Sequence, residues 1–214
     1  MRETKTLEQA IRERRSTPSF DGSPMPPEDL RQILEAGMAA PSGYNVQPWR
    51  FVVVQTPEQK RKLRAACFNQ AKVEEASVVI VCCGDADSWR RDADEIIRMG
   101  LSGGMPESYA AQLKTYVQNY LSSLNEDQMH GWLNKQVSLA AAFMLLTAET
   151  MGYDTAPLEG FEQERVHEVL RLPLSYWVVS LLAIGTLQGT DKYDGGRFGL
   201  AHAVSSEEYG KPLR

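Results

Sequence analysis

The stretch QMHGWLNKQVSLAAAFMLLTAETM, residues 128–151, is the most regular pattern in the chain and decides its fold. Apolar side chains recur there at steps of three and four, the period of an α-helix; they are Leu133, Val137, Ala140, Met144, Ala148 and Met151. A second apolar set flanks the first and consists of Trp132, Leu139, Phe143 and Leu146. A helix that is apolar over so much of its circumference is buried on more than one side. Two interpretations remain open: one side faces a partner subunit, or the helix is buried wholly within a monomer.

Shorter segments on both sides of this helix alternate between helical and extended patterns. The patterns predict helices at 6–14, 27–38, 57–66, 110–121 and 162–170, and strands at 51–54, 78–83, 154–161 and 176–187. The strands and helices do not alternate as regular βαβ units. No G-x-G-x-x-G follows the first strand and no P-loop motif occurs, so a Rossmann domain and a P-loop are disfavoured.

Length and composition indicate one folded domain over residues 1–214. The chain is 43% hydrophobic and 24% charged, which is ordinary for a globular protein. Its net charge of -5 does not favour nucleic acid or an anionic membrane as a partner. Two parts stand apart from the core pattern: a polar helical excursion at 85–127 and a polar tail at 188–214.

Other features favour a reduced, cytoplasmic protein without a metal. The N-terminal residues 1–15 are charged and lack the apolar core of a signal peptide, and no apolar run is long enough to span a bilayer. The three cysteines are an odd number, with two of them adjacent, which does not suit a disulfide framework. The three histidines lie far apart and show no metal-ligand spacing.

The first candidate site is at the end of the first predicted helix. Arg14 and Arg15 offer guanidinium donors that match phosphate oxygens, and Ser16 adds a hydroxyl donor. A terminal phosphate ester is the ligand that this arrangement suits. Arginines at a helix end also complement the helix dipole, so a solvated helix end is the competing interpretation.

The second candidate is the loop PSGYNVQPW, residues 41–49, between a helix and a strand. Its Ser42, Asn45 and Gln47 can donate to and accept from the edge of a heteroaromatic ring. Gly43 permits backbone geometry that is closed to other residues. The alternative is a plain connector between the two elements.

The third candidate is PLEGF, residues 157–161, where Gly160 would let a backbone N–H approach a flat ligand closely. A turn before the next helix is the alternative. Asn69, Lys72 and Arg197 are further polar candidates that mean little singly. The sequence shows no Ser–His–Asp or Cys–His pattern and no paired carboxylates, so we expect no catalytic side chain and a cofactor that performs the difficult chemistry.

Together and in order, these stretches resemble the FMN-dependent nitroreductase family, most closely the enteric type. The resemblance rests on RRST at 14–17, PSGYNVQPW at 41–49, Asn69 and Lys72 followed by EASVVI at 75–80, and KQV at 135–137 leading to PLEGF at 157–161. Each stretch is weak alone, but four in order at family-like spacing make a strong signal. The resemblance covers residues 7–197.

The resemblance implies an α+β fold with a mixed, mostly antiparallel sheet flanked by helices. Two chains would form an intertwined homodimer through the long helix. The tail, 188–214, would extend over the partner subunit, and two FMN sites would lie at the interface.

The resemblance also implies the cofactor-binding residues. Those expected on the phosphate and ribityl side are Arg14, Ser16, Lys72 and Arg197. Asn69 would contact the pyrimidine edge of the flavin. Those expected from the other subunit are Pro41, Ser42, Gly43 and Asn45. Pro157, Leu158, Glu159 and Gly160 complete the set, and the last two would present backbone N–H groups to the ring nitrogen that exchanges hydride.

Two positions depart from the family pattern. Pro18 and Gly195 stand where the family often has a basic residue, so two cations near the phosphate are missing, and Arg15 is the candidate to compensate. The excursion, with Trp89, Tyr109, Tyr116 and Tyr120, is interpreted either as a wall of the substrate pocket or as a surface insert whose aromatics face the core.

The implied activity is a ping-pong transfer of two electrons from NADH or NADPH to a nitroaromatic, a quinone or a similar small acceptor. Alternatives on the same fold are a dehalogenase, a flavin-fragmenting enzyme, or a flavin-binding protein with little turnover.

Overall fold

A computed structural model describes residues 3–189 and 193–213. The long helix is present as α8, which spans Glu126–Thr150, so the prediction from its apolar period is confirmed. Its N-terminus is closed by a capping box, in which Asn125 and Gln128 each accept a hydrogen bond from the backbone N–H of the other. This cap explains why the helix begins two residues before the predicted start.

The other predicted helices and strands are present in the predicted order, and four further α-helices that were not predicted occur among them in the described residues. The other helices are α1 Leu7–Glu13, α2 Pro27–Met38, α3 Pro57–Ala66, α4 Ala71–Glu75, α5 Ser88–Arg91, α6 Ala93–Ser102, α7 Glu107–Ser122, α9 Gln163–Leu170 and α10 Leu200–Ala203. The strands are β1 Trp49–Val54, β2 Val78–Asp85, β3 Asp154–Leu158 and β4 Tyr176–Gly185.

Within the described residues these strands form one antiparallel sheet in the order β1-β2-β4-β3. Strand β2 runs two residues further than predicted because Gly84 and Asp85 continue to pair with β4. Strand β4 ends at Gly185, short of the predicted 187, because Leu187 leaves the ladder and bridges Phe20 instead. The predicted α+β fold with a mostly antiparallel sheet is thus confirmed.

Helices cover both faces of the sheet. On one face, Ala140 and Met144 of α8 pack with Ile80 and Leu182, and α2 completes this layer. On the other face, Leu63 of α3 and other residues of α3, α4 and α9 pack against the opposite side chains of β2 and β4. Both central strands are therefore buried on two sides, which explains their continuous runs of apolar residues.

The excursion at 85–127 is more helical than its sequence predicts, since α5, α6 and α7 all lie within it. It is fixed at its root by Asp85, which is fully buried and accepts a hydrogen bond from Arg91 Nη2 at 2.7 Å. Its aromatic residues fit both interpretations in part, the core-facing insert and the exposed pocket wall. Trp89 is buried in a core cluster with α7 and α8, whereas Tyr109, Tyr116 and Tyr120 are exposed.

The second apolar set of α8 divides in the same way. Trp132 is buried within the chain, but Leu139 is 43% exposed and Phe143 is 42% exposed. One chain therefore leaves part of this face uncovered. No helix in the described ranges is long and apolar enough to cross a membrane. Over the same ranges, no group of three or more His, Cys, Asp or Glu is arranged to hold a metal ion.

Candidate functional site

Edge strand β3 brings two of the predicted segments together. Ser16 forms a parallel bridge with Thr155, and the N–H of Thr17 donates to the carbonyl of Thr155 at 2.9 Å. Further along, the same strand leads directly into Glu159 and Gly160. The arginine-containing stretch and the glycine-containing stretch thus lie along one edge of the sheet.

A third predicted segment packs against Gly160. Gln70 Nε2 donates to the Gly160 carbonyl at 2.9 Å, and a Cβ atom added at Gly160 would lie 3.6 Å from the Phe68 ring. Asn69 lies between these two residues in sequence and has a left-handed backbone with φ of 57°. Arg64 holds this conformation, because its Nε donates to the Asn69 carbonyl at 3.2 Å. The Asn69 to Lys72 stretch therefore adjoins Gly160.

The cations of these segments differ in whether they already have a partner. Arg14 Nη1 is buried and has no hydrogen-bond partner among the described residues. Lys72 is half-buried and forms no ion pair with any described residue. Arg197 is exposed, and its one hydrogen bond within the described residues goes to the Gly196 carbonyl, at 2.6 Å. Arg15 instead forms an ion pair with Asp194, at 2.8 Å. Unpaired positive charge at a partly buried edge favours an anionic ligand.

The loop at 41–47 lies elsewhere in the same chain. The N–H of Gly43 donates to Gln136 Oε1 at 2.7 Å, and the Tyr44 ring centroid is 6.1 Å from that of Tyr120. Glu159 instead shares a cleft of about 390 Å³ with Asn134 and Ser138 of α8. Asn134 and Gln136 are two positions apart, or about 200° around the helix. The residues Pro41, Ser42, Gly43 and Asn45 therefore face away from the rest of the predicted site.

This loop is nevertheless held in one shape. Its Tyr44, Asn45 and Gln47 all have positive φ, at 55°, 57° and 49°. Such conformations are uncommon for residues other than glycine and persist only where the surroundings fix them. Ser42 Oγ accepts from the N–H of Gln47 at 2.9 Å and so closes the loop from within. A fixed, strained backbone is typical of a binding loop.

Sequence reasoning missed several residues that shape the site. Phe68 and Gln70 contact Gly160, Gln136 fixes the Gly43 loop, and Asp194 pairs with Arg15. Trp177 was also missed: it borders the Glu159 cleft, and the His130 ring stacks on it at 3.8 Å. A signal existed only for Gln136, which is part of the KQV stretch at 135–137. The others depend on contacts between segments distant in sequence.

The cysteines offer no nucleophile to this site. All three are free and buried. Burial raises the pKa of Cys67 to about 12 and that of Cys83 to about 12. Burial also raises the pKa of Cys82 far above its usual range. Because the thiolate is the reactive form, these side chains are inert near neutral pH.

An antiparallel sheet between two helix layers defines an α+β protein, and Arg14, in a segment beside the edge strand, has no hydrogen-bond partner for its Nη1 among the described residues. The chain belongs to the nitroreductase family, whose model matches residues 11–186. It is 38% identical over 176 residues to a protein of Thermus thermophilus named "NADH dehydrogenase", which covers 82% of this chain and 84% of the relative. It is also 31% identical over 192 residues to "Putative NAD(P)H nitroreductase YdgI" of Bacillus subtilis, covering 86% of this chain and 90% of the relative.

Solved structures agree with this assignment. The chain superimposes with a TM-score of 0.87 and 27% identity on a "putative nitroreductase in complex with FMN" from Exiguobacterium sibiricum, covering 97% of this chain and all of the other. A "putative NAD(P)H:FMN oxidoreductase" from Staphylococcus epidermidis gives a TM-score of 0.87 at 28% identity, covering 96% and 97%. The fold is therefore that of the family.

Proposed function

We propose that two copies of this chain enclose FMN and use it to carry two electrons from NADH or NADPH to a small oxidised organic acceptor. The observation that carries the proposal is that the segments of Arg14 and Lys72 both adjoin the stretch 155–160, through the Ser16–Thr155 bridge and the hydrogen bond from Gln70 to Gly160. Neither Arg14 nor Lys72 forms an ion pair among the described residues, and Arg197 follows Asp194, which pairs with Arg15. The relatives named for NAD(P)H and the similar structure solved with FMN support it.

The residues present fit FMN. Arg14 Nη1 and Thr17 Oγ1 are both buried without a hydrogen-bond partner in the described chain, and a phosphate or ribityl oxygen would satisfy them. Arg14, Ser16 and Arg197 would hold the phosphate side. Asn69, together with the backbone from Pro157 to Gly160, would contact the ring. The missing cations at Pro18 and Gly195 leave fewer charges for the phosphate than the family often has.

The chemistry that bound FMN supplies is reversible hydride transfer. Lys72 and the backbone N–H groups of Glu159 and Gly160 would stabilise the negative charge that reduction places on the ring, since fixed donors and nearby cations lower the energy of an anion. The cysteines are buried and protonated, so they take no part. Protons for the acceptor come from solvent, and no side chain need act as the catalytic acid.

A homodimer explains two features that a single chain leaves unexplained. The exposed face of α8 presents Leu139 and Phe143, and the tail presents Phe198, Leu200 and a fully exposed Tyr209. Leu139 and Phe143 lie about one turn apart on α8, and neighbouring exposed apolar side chains of this kind mark an interaction site. A two-fold axis through the α8 face would place the Pro41 to Asn45 loop of each subunit at the flavin site of the other. The tail would then extend over the partner subunit.

The excursion supplies a wall for the acceptor. Tyr120 of α7 contacts Tyr44 of the Gly43 loop, and both rings are exposed. If the loop lies at the flavin site of the partner subunit, the rings of Tyr44 and Tyr120 also lie beside that site. Aromatic faces suit flat acceptors such as nitroaromatics and quinones.

Initial-rate kinetics test the reaction. We expect parallel double-reciprocal lines when NADH is varied at several fixed concentrations of a quinone, because one open face must serve both ligands in turn. Intersecting lines would contradict the ping-pong order. A protein that stays yellow when NADH and NADPH are added without oxygen would instead be a flavin-binding protein, and release of ring fragments would indicate flavin breakdown.

A further inference from the structure

The carboxylate of Asp194 joins the two ends of the chain. Arg15 Nε donates to Asp194 Oδ1 at 2.8 Å, and Arg15 Nη2 lies 2.8 Å from Oδ2. Two parallel contacts between a guanidinium and a carboxylate give the most specific geometry available to an ion pair. These contacts, with a hydrogen bond from the backbone N–H of Gly196, hold the pKa of Asp194 at about 2. Asp194 is therefore ionised at neutral pH, as its ion pair with Arg15 requires.

The same interaction commits the Arg15 guanidinium to partners within the chain. Its Nη1 donates to the carbonyls of Arg12 at 2.7 Å and Arg14 at 2.9 Å. Every nitrogen of the Arg15 guanidinium thus has a partner, and its charge is balanced by Asp194. The neighbouring Arg14 differs, since its Nη1 is buried and unpartnered within the described residues. Of the two arginines, Arg14 is the one that has neither a carboxylate partner nor a hydrogen-bond partner for its Nη1 among the described residues.

Asp194 also shapes the turn that carries Arg197. Its Oδ1 accepts a hydrogen bond from the N–H of Gly196 at 2.9 Å. Gly196 has φ of 72°, in the left-handed region that favours glycine. The next residue, Arg197, donates back to the Gly196 carbonyl at 2.6 Å. One carboxylate oxygen therefore contacts both Arg15 and the turn that presents Arg197.

We propose that Asp194 is a positioning residue for flavin phosphate binding: by fastening the tail to Arg15 it places Arg197 beside Arg14. This inference rests on the proposed function, because it assumes that Arg14 and Arg197 bind the phosphate of FMN. It also reassigns Arg15, which acts through Asp194 and not as a replacement for the cations missing at Pro18 and Gly195. Because the site has fewer cations than the family often has, the position of each one has a larger effect on the affinity for FMN than it would in a site with more cations.

Flavin titrations of the full-length apoprotein test the assignment. FMN and riboflavin differ only in the phosphate, so the ratio of their dissociation constants isolates the phosphate subsite. We expect Asp194→Asn to weaken FMN binding about tenfold while riboflavin binding stays unchanged. Arg15→Gln should give the same loss, and the double variant should be no weaker than either single one, since both changes break one contact. Limited proteolysis should cleave the tail faster in all three variants.

Two control variants separate this proposal from the proposed function. Arg14→Gln and Arg197→Gln should each lower the preference for FMN over riboflavin. If they do, but Asp194→Asn leaves the preference unchanged, the positioning role is wrong and the phosphate site stands. Additive losses from Arg15→Gln and Asp194→Asn would also overturn it, because Arg15 would then contact the phosphate itself. A wild-type protein that does not bind FMN would refute the proposed function.

Discussion

Gln136 Oε1 accepts a hydrogen bond from the backbone N–H of Gly43 at 2.7 Å and so ties the strained loop at 41–47 to the long helix. Gln136 is buried and Gly43 is partly buried, so replacement by leucine would remove this hydrogen bond at a cost of about 0.5–1.5 kcal/mol. We expect Gln136→Leu to loosen the loop and weaken FMN binding on the order of tenfold.

Gln136→Glu is the matched control, because glutamate keeps an acceptor oxygen at the same reach. It should retain most of the affinity. Equal affinities for wild type and Gln136→Leu would show that the loop takes no part in the flavin site. The dissociation constants of both variants are measured by titrating the apoprotein with FMN while flavin fluorescence is monitored.

The proposed dimer predicts different outcomes for glutamate substitutions at two residues whose side chains are similarly exposed in the single chain. Phe143 on α8 is 42% exposed and Met99 on α6 is 40% exposed. We expect Phe143→Glu to yield monomers that lose FMN, because a charge would be buried unpaired between the subunits. Met99→Glu should leave the dimer intact. Light scattering on eluting protein measures the mass, and identical masses for both variants would argue against an interface on α8.

The acceptor wall predicts a change in specificity without loss of cofactor. Tyr120→Ala removes the ring that contacts Tyr44, so we expect KM for a quinone to rise about tenfold while FMN stays bound. Tyr109→Ala serves as control, since Tyr109 is equally exposed on α7 but pairs with Tyr116 instead of the loop. Similar KM values in both variants would remove α7 from the pocket.

The cysteines predict a dependence on pH. Burial raises the pKa of Cys67 and of Cys83 from 9.0 to about 12, so the folded state holds their protons more tightly than the unfolded state does. Their contribution to stability is full below pH 9 and decreases as the pH rises toward 12. We expect no reaction with a thiol reagent at pH 8 in the native protein and three reactive thiols per chain in denaturant. Rapid labelling of the native protein would contradict this burial.

Much of the fold could be predicted from the sequence because its signals are local. The period of α8 comes from its own residues, and the apolar runs of β2 and β4 identify central strands. The excursion at 85–127 was less predictable. Its helices are short or polar, and they are stabilised by contacts of Trp89 and α7 with α8, which no local pattern reveals.

The site could be predicted only as a set of stretches. Arg14, Lys72 and Gly160 each belong to a segment that resembles the family, and the structure brings those segments together at β3. The different situations of Arg14 and Arg15 could not be inferred, because they depend on Asp194, 179 residues away from Arg15. Two neighbouring arginines cannot be distinguished by sequence alone, and their roles differ only because their contact partners differ.

The most direct test of the central claim is an absorbance titration of the purified, FMN-loaded protein with NADH and then NADPH, without oxygen. We predict an oxidised flavin spectrum at one FMN per chain, which bleaches with about one equivalent of one or both nicotinamides and returns when a quinone is added. A protein that remains colourless after incubation with FMN would contradict the claim that two copies of this chain hold the flavin between them.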